Sequence, residues 1–245
     1  MFFRSALLAS VVCLSSCKDF FNDLNENQDL LAPQIVITPL GAGLLADGST
    51  VSLLNISVTS AREIPADRRK ITVSTTIGDL MIDGTAKKTA EVLLDQAGKK
   101  SVMIRHPLSV SQGTITVTLA NGTTQASPAN FAAAYPEAVV IDTPLTVLTD
   151  TATLNVTTIF SRVKGNVSVG LTIIFELVNN DSNEVGNAFF HSVTKSDSSG
   201  RSKGVLKLEK PMAGEYKVRV GYKKEDGTIQ YIKTMRTLTI VASKI

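Results

Sequence analysis

The sequence predicts an all-β fold, with two β-sandwiches in tandem, on three observations. Short runs of alternating apolar and polar residues, rich in Val, Ile and Thr, recur from Gln34 to the end of the chain, and such runs are typical of half-buried strands. Turns that contain glycine separate these runs at regular intervals. No stretch of 12 residues after Pro33 has the periodicity of an amphipathic helix.

Strands in the first half of the chain are predicted at 50–59, 70–75, 89–94, 101–105 and 114–119. Asn121-Gly122 follows the last of them and predicts a tight hairpin in which both central residues take positive φ. Short, regularly spaced strands joined by such turns favour a sandwich.

The second half of the chain repeats the order of the first. Its first strand, its Asp-x-x-Gly turn, the following glycine and its final hairpin come 101, 102, 101 and 105 residues after their counterparts. The matched pairs are Thr50 with Thr151, Asp95 with Asp197, Gly113 with Gly214, and Asn121-Gly122 with Asp226-Gly227. Four nearly constant offsets indicate a tandem duplication. We expect one sandwich in residues 34–135 and a second in 136–245, joined near Tyr135-Pro136.

The first 33 residues have the pattern of an export signal followed by a tether. Arg4 supplies positive charge, Ala6 to Leu14 is an apolar run broken only by Ser10, and Ser15-Ser16 are small residues. This order is typical of a secretory signal peptide, and the apolar run is too short to cross a bilayer. We expect residues 1–16 to be removed and residues 17–33, rich in Asn, Asp and Gln, to form a flexible tether.

The end of this signal is the segment Leu14-Ser15-Ser16-Cys17, which resembles the lipobox of bacterial lipoproteins. The resemblance implies that Cys17 is the lipid-attachment residue, whose thiol receives a diacylglycerol and whose amine is acylated after cleavage. Several acyl chains hold a protein at a membrane durably, whereas one holds it only marginally. Lys18-Asp19 is similar to the signal that sends Bacteroidota lipoproteins to the cell surface. The expected location is therefore the outer membrane, lipid-anchored and exposed at the surface.

A recurring order of turns and strands begins at Ala46-Asp47-Gly48-Ser49-Thr50. It continues with the run from Ile71 to Leu80, an Asp-x-x-Gly turn and Gly-Thr-Ile-Thr-Val-Thr from Gly113. Over residues 46–134 this order resembles the bacterial immunoglobulin-like repeats of the invasin and intimin type. The second copy fits more loosely, since Leu148-Thr149-Asp150-Thr151 replaces the Ala-Asp-Gly start. The resemblance implies tandem immunoglobulin-like sandwiches that act as spacers or adhesive stalks. The expected partner is a protein or a glycan.

Residue types that carry catalysis are scarce in the expected mature chain. The two cysteines of the sequence, Cys13 and Cys17, both lie before the expected sandwiches, and no Gly-x-Ser-x-Gly motif is present, so nucleophilic catalysis is not expected. His106 and His191 do not correspond in the repeat, and we expect them to be exposed or half-buried rather than bound to a metal. The acidic residues fall mainly in predicted turns, where their side chains support the backbone. These residues are Asp47, Asp79, Asp83, Asp95, Asp181, Glu184, Asp197 and Asp226.

The loop 179–186 offers clustered oxygen ligands and begins like a calcium-binding EF-hand loop. Val185 and Ser192 stand at positions where that motif needs a ligand, so the motif is incomplete. A polar hairpin loop is therefore expected there. Together with the preceding observations, this predicts a chain without enzyme activity, cofactor or metal.

Composition and charge restrict the partners. The net charge is only +3 and the longest basic run is Arg68-Arg69-Lys70, so the concentrated basic footprint of a nucleic-acid-binding protein is absent. The alternative to a non-catalytic adhesion or protein-interaction module is a polysaccharide-binding lipoprotein of a nutrient-uptake system. Against it, the chain has no Trp, and Tyr216, Tyr222 and Tyr231 lie in alternating runs typical of packing. A third hypothesis, strand addition to a partner sheet, predicts a long unpaired edge strand.

Overall fold

The computed structural model describes residues 33–60, 64–179, 192–208 and 213–243. Within these ranges the chain forms β-strands and a single 3-10 turn, Ala66–Arg68. The strands are β1 (Gln34–Thr38), β2 (Leu45–Ala46), β3 (Val51–Thr59), β4 (Lys70–Thr75), β5 (Asp79–Ile82), β6 (Thr85–Lys87), β7 (Thr89–Leu93), β8 (Lys99–Arg105), β9 (Ser111–Leu119), β10 (Thr124–Ala133), β11 (Ala138–Asp142), β12 (Thr146–Leu148), β13 (Thr153–Ser161), β14 (Thr172–Val178), β15 (Ser192–Lys195), β16 (Arg201–Lys207), β17 (Gly214–Lys223) and β18 (Ile229–Val241). No helix in the described ranges is long and apolar enough to span a membrane.

The first ten strands build one sandwich. One sheet has the order β1-β3-β8-β5-β6 and the other has the order β2-β10-β9-β4-β7. Neighbouring strands are antiparallel except β2, which runs parallel to β10 and places Leu45 beside Ala132. The inward residues of the two sheets form one apolar core, in which Leu54, Ile104 and Phe131 are fully buried.

The remaining strands build a second sandwich with the same strand order, except that β5 and β6 have no counterpart among its described strands. Its sheets have the orders β11-β13-β16 and β12-β18-β17-β14-β15, and β12 runs parallel to β18 as β2 does to β10. Strands β3, β4 and β8 begin at residues 51, 70 and 99, and β13, β14 and β16 begin 102 residues later, at 153, 172 and 201. The all-β class and the repeated plan are thus confirmed. The first-strand offset is 102 rather than the 101 predicted from Thr50 and Thr151, because β13 begins at Thr153.

The core of the second sandwich has a tight contact between two strands. Phe175 on β14 is fully buried, and its ring lies against Gly204 on β16. A Cβ atom at residue 204 would come within 2.5 Å of Phe175 Cδ2, so this position needs a residue without a side chain. Gly204 pairs with Val156 in the register of β13 and β16.

The Asp-x-x-Gly turns have the same geometry in both copies. The amide of Gly98 donates to Asp95 O at 3.1 Å, and that of Gly200 donates to Asp197 O at 3.1 Å. Both glycines have left-handed φ, at 72° and 68°. Each aspartate also accepts a 2.8 Å bond at Oδ1 from the amide four residues later, that of Lys99 or Arg201. The duplication therefore reaches the level of individual hydrogen bonds.

The hairpin predicted at Asn121-Gly122 forms, but its turn type was predicted wrongly. Gly122 has a φ of 86°, whereas the only non-glycine residue with positive φ in the described chain is Asp83. Gly122 N–H donates to Leu119 O at 2.9 Å, which indicates a three-residue turn closed by a single left-handed glycine. The two-residue turn with two positive φ angles instead occurs at Asp83-Gly84, between β5 and β6, where φ is 50° and 76°.

Candidate functional site at the junction of the two sandwiches

The candidate site begins with a buried aspartate at the end of β2. Asp47 accepts hydrogen bonds at Oδ1 from the backbone N–H groups of Ser49 and Thr50, at 3.1 and 2.9 Å, and at Oδ2 from Thr50 Oγ1 at 2.5 Å. These bonds make the turn that aspartate favours before a strand. Burial raises the pKa of Asp47, but its bonds to Thr50 and Ser49 and the nearby His106 outweigh burial and leave the pKa lowered.

The loop between β13 and β14 lies against this turn. The amide of Asn166 donates to Asp47 O at 3.0 Å, and the amide of Val169 donates to Leu108 O at 2.9 Å. Gly165 has a φ of 71° and lies so close to the Asp47 carboxylate that a Cβ atom at residue 165 would overlap it. Backbone groups of the second sandwich are therefore paired directly with backbone groups of the first.

Ser168 is the side chain that joins most of the elements at the junction. Its Oγ–H donates to Ala46 O at 2.5 Å, and its Oγ accepts a bond from Ala134 N–H at 2.8 Å. The amide of Ser168 donates to Ala134 O at 3.0 Å, and its carbonyl accepts from Ser196 Oγ at 2.8 Å. Ser168 is completely buried, so its polar atoms are satisfied within the protein.

The residues between β10 and β11 add an aromatic contact to the junction. The ring of Tyr135 stacks on Tyr222 with centroids 4.9 Å apart and an interplanar angle of 15°. Tyr135 OH accepts a 3.0 Å bond from Glu225 N–H, and Glu225 Oε1 accepts a 3.2 Å bond from Ala133 N–H. Burial, and then the neighbouring Tyr135, raise the pKa of Tyr222. The connection between the sandwiches is thus packed and hydrogen-bonded on both sides.

The sequence predicted a joint near Tyr135-Pro136 but not the contacts that the two sandwiches make there. The Ala46-Asp47-Gly48 turn was recognised as a strand start, but its contact with Gly165 and Ser168 is between residues more than 115 positions apart. The available signal was weak: the glycines and serine in Lys164 to Gly170 have no counterpart in the first copy.

Of the residues considered for lipid attachment or metal binding, some lie outside the described residues and one is buried in the structure. Cys17 and His191 lie outside the described residues, as do 180–186 of the loop considered for calcium. His106 is buried rather than exposed or half-buried, and its Nδ1 hydrogen-bonds to Leu45 O at 2.9 Å and its Nε2 to Ser52 Oγ at 2.8 Å. In the part of the chain that the structure describes, no three His, Cys, Asp or Glu residues cluster as a metal site would require.

The acidic residues mainly support turns, with one exception. Asp95, Asp197 and Asp226 accept bonds from backbone N–H groups of their own turns, as predicted. Asp79 instead lies in β5, where its carboxylate pairs with Arg105 at 2.7 Å and Lys88 at 3.2 Å. The placement of Asp79 in a turn was therefore wrong. Asp181 and Glu184 lie outside the described residues.

The tyrosines considered for sugar stacking have packing partners. Tyr216 and Tyr222 are buried in the second core. Tyr231 is half-buried, donates to Glu176 Oε1 at 2.6 Å and lies under the Arg219 guanidinium at 4.1 Å from its ring centroid. Every aromatic side chain in the described ranges is buried or half-buried.

Solved structures with a similar fold include two bacterial adhesins. The adhesin InvE of Yersinia pseudotuberculosis is 15% identical, with a TM-score of 0.54, over 84% of this chain and 58% of that chain. Invasin, a bacterial integrin-binding protein, is 16% identical, with a TM-score of 0.56, over 86% of this chain and 40% of that chain. This chain therefore spans less than two thirds of either protein. No protein-family model matches the sequence, and neither does any curated protein.

The structural similarity to both proteins extends over both sandwiches, since it covers more than four fifths of the chain. At such low identity they bear on the fold alone. The chain thus has the fold of tandem immunoglobulin-like domains, as found in bacterial adhesins of the invasin type.

Proposed function

We propose that this chain is a non-catalytic, lipid-anchored adhesion module of the bacterial cell envelope, in which two sandwiches form a stiff spacer that carries an interaction surface for a protein partner. The domain bounds proposed are 34–135 and 136–245, after a signal peptide (1–16) and a lipidated tether (17–33). The lipobox-like segment 14–17 supports the anchor. The fold shared with invasin supports the spacer and adhesion roles.

The hydrogen bonds that Ser168 makes across the junction are the observation that best supports the spacer role. A linker that lets domains move freely leaves few contacts between them, whereas Ser168 bonds to Ala46 and Ala134 at the junction. Bonds from Asn166 and Val169 to the first sandwich add to them. Each bond contributes about 0.5–1.5 kcal/mol net, so together they oppose bending of the pair.

The two other hypotheses have less support. A sugar-stacking platform needs an exposed aromatic ring, and the described aromatic residues are buried or half-buried. Strand addition needs a long open edge. In the described chain the edge strands other than β16 have two to five residues. The seven-residue β16 has the amide of Val205 bonded to Ser192 Oγ at 3.0 Å.

The anchor is tested by changing Cys17→Ser and following the protein in membrane and soluble fractions of bacteria fed a clickable fatty acid. We expect the variant to lose the fatty-acid label and to leave the membrane fraction. Cys13→Ser is the matched control, since residue 13 lies in the segment expected to be removed, and it should stay labelled. A Cys17→Ser protein that remains labelled and membrane-bound would refute the lipoprotein assignment.

The adhesion role is tested with beads that carry the mature chain and with animal cells as targets. We expect bead attachment to fall when the cells are pretreated with protease, because a protein partner is proposed. Beads that carry the same chain after heat denaturation are the control. Attachment no greater than that of the control beads would contradict the adhesion role.

Surface exposure is tested by adding proteinase K to intact bacteria. Protection of the chain from the protease would contradict surface exposure.

A further inference from the structure

The outer face of sheet β11-β13-β16 carries a row of basic residues. Strand β16 alternates between buried and exposed residues, and its exposed positions are Arg201, Lys203, Val205 and Lys207. Side chains two residues apart on a strand point to the same face, about 6.6 Å apart. Three of the four exposed side chains on this strand are therefore cationic and lie in one line.

Each cation in this row has a neighbour on β13. The register places Arg201 beside Ile159, Lys203 beside Thr157, Val205 beside Asn155 and Lys207 beside Thr153. On the third strand, Val140 lies beside Ile159 and is 66% exposed. The face thus combines a line of positive charge with hydroxyl and amide groups and a few exposed aliphatic side chains.

No ion pair neutralises this row within the residues that the structure describes. The nearby Asp197 engages its Oδ1 with backbone N–H groups of its own turn, those of Ser199 and Arg201, and its carboxylate also attracts the Arg201 guanidinium electrostatically. Asp142 lies two strands away, across Thr157 from Lys203. Among the described residues, Lys203 and Lys207 are therefore exposed to solvent and available to an anionic ligand, while Arg201 is exposed but shares its charge with Asp197.

The first sandwich does not have this feature at the equivalent positions. Strand β8 corresponds to β16 and exposes Lys99, Ser101 and Met103. Its Arg105, the counterpart of Lys207, pairs with Asp79 at 2.7 Å. The pairing of β3 with β8 is repeated by β13 and β16 but this charge pattern is not, so the fold itself does not require a basic row. The row is a property of the second sandwich.

We propose that this face of the second sandwich binds an acidic polysaccharide, laid along β16 with its carboxylate or sulfate groups against Arg201, Lys203 and Lys207. Thr153, Asn155 and Thr157 supply hydrogen-bonding groups for sugar hydroxyls. A single-stranded nucleic acid would need aromatic residues for base stacking, and this face has none among its described residues. The proposal goes beyond the protein-binding spacer and does not depend on the lipid anchor.

The test uses the mature chain with Cys17→Ser and immobilised polygalacturonate, dextran sulfate and neutral dextran. We expect binding to one or both acidic polymers at low salt, no binding to dextran, and weakening as salt screens the charges. R201A/K203A/K207A should reduce affinity by about tenfold or more. K99A/K223A/K233A, which removes the same charge from exposed positions elsewhere, should change it less than about twofold.

Four results would overturn the proposal. They are the absence of binding to both acidic polymers, full binding by the triple variant of β16, equal losses in both triple variants, and tighter binding to phosphatidylglycerol vesicles or to single-stranded DNA than to the polysaccharides. Circular dichroism and thermal melting establish that each variant is folded. If the β16 triple variant unfolds, Lys203→Glu alone replaces it and should still weaken binding.

Discussion

Gly165 of the second sandwich lies directly against the carboxylate of Asp47 in the first, with no room for a side chain between them. Asp47 is also bonded through its own backbone carbonyl to the amide of Asn166. The same residue therefore shapes the turn before β3 and receives the loop from the neighbouring sandwich. This dual role explains how a short connection, residues 134–137, can be accompanied by a defined contact between the two sandwiches.

The first prediction concerns this contact. Gly165→Val should separate the two sandwiches, because its side chain would overlap Asp47, while each sandwich keeps its own core. Small-angle scattering should show a larger radius of gyration and a broader distribution of distances. Gly170→Val is the matched control, since Gly170 also has positive φ, at 82°, but its Cβ position is open. Identical scattering by the two variants would contradict the role of Gly165.

A second prediction concerns pH. The folded-state pKa of Asp47 lies below the ordinary value of 3.8, so its ionised form contributes stability that is fully present above that value. That contribution is lost as the pH falls through the folded-state pKa. Asp47→Asn should therefore lower the free energy of unfolding at neutral pH and flatten its decline between about pH 5 and pH 2. The exposed Asp150→Asn serves as the control in urea titrations. An unchanged acid slope in Asp47→Asn would argue against this linkage.

The third prediction tests the core contact of the second sandwich. Gly204→Ala should lower the free energy of unfolding by about 1–3 kcal/mol, because the added Cβ must displace the ring of Phe175. The neighbouring Val205→Ala, at a position 50% exposed, should cost much less. Urea unfolding followed by circular dichroism measures both, and equal losses would mean that the Phe175 ring moves without cost.

The fourth prediction uses the two hairpins. Asp83 has positive φ, so Asp83→Gly should leave stability unchanged or raise it, since glycine takes that conformation without strain. Asn121 does not have positive φ, so Asn121→Gly should lower stability by about 0.5–1 kcal/mol. Thermal melting compares them, and the reverse order would contradict the assigned turn types.

The features that sequence predicted well are local ones. Lys70–Thr75 coincides with β4, and Val51–Thr59 lies within the predicted 50–59, because alternation reports a half-buried strand directly. The turns at Asp95 and Asp197 were recognisable since aspartate and glycine at fixed spacing satisfy the turn by themselves. Duplication strengthened both predictions, since each feature occurs twice.

Features that depend on distant contacts were not predictable in this way. Strand β2 has two residues and gains its pairing from residues of β10 that lie 87 positions further along the chain. His106 looked like a loop residue before proline, yet the strand ends around it bury it against Phe131, with ring centroids 4.9 Å apart. The turn type at Asn121-Gly122 was also not predictable from the dipeptide alone, because the dipeptide fits two turn types and the register of the flanking strands selects one of them.

The central claim, that the two sandwiches are held in one fixed arrangement, is tested most directly by a distance between them. Spin labels at Ala86→Cys and Thr153→Cys, both exposed positions, can be placed in the mature chain with Cys17→Ser, which has no other thiol. Electron–electron double resonance should give a single narrow distance peak, and Gly165→Val should broaden it. A broad distribution in the protein without the Gly165 substitution would show that the sandwiches move independently, and would contradict the stiff spacer.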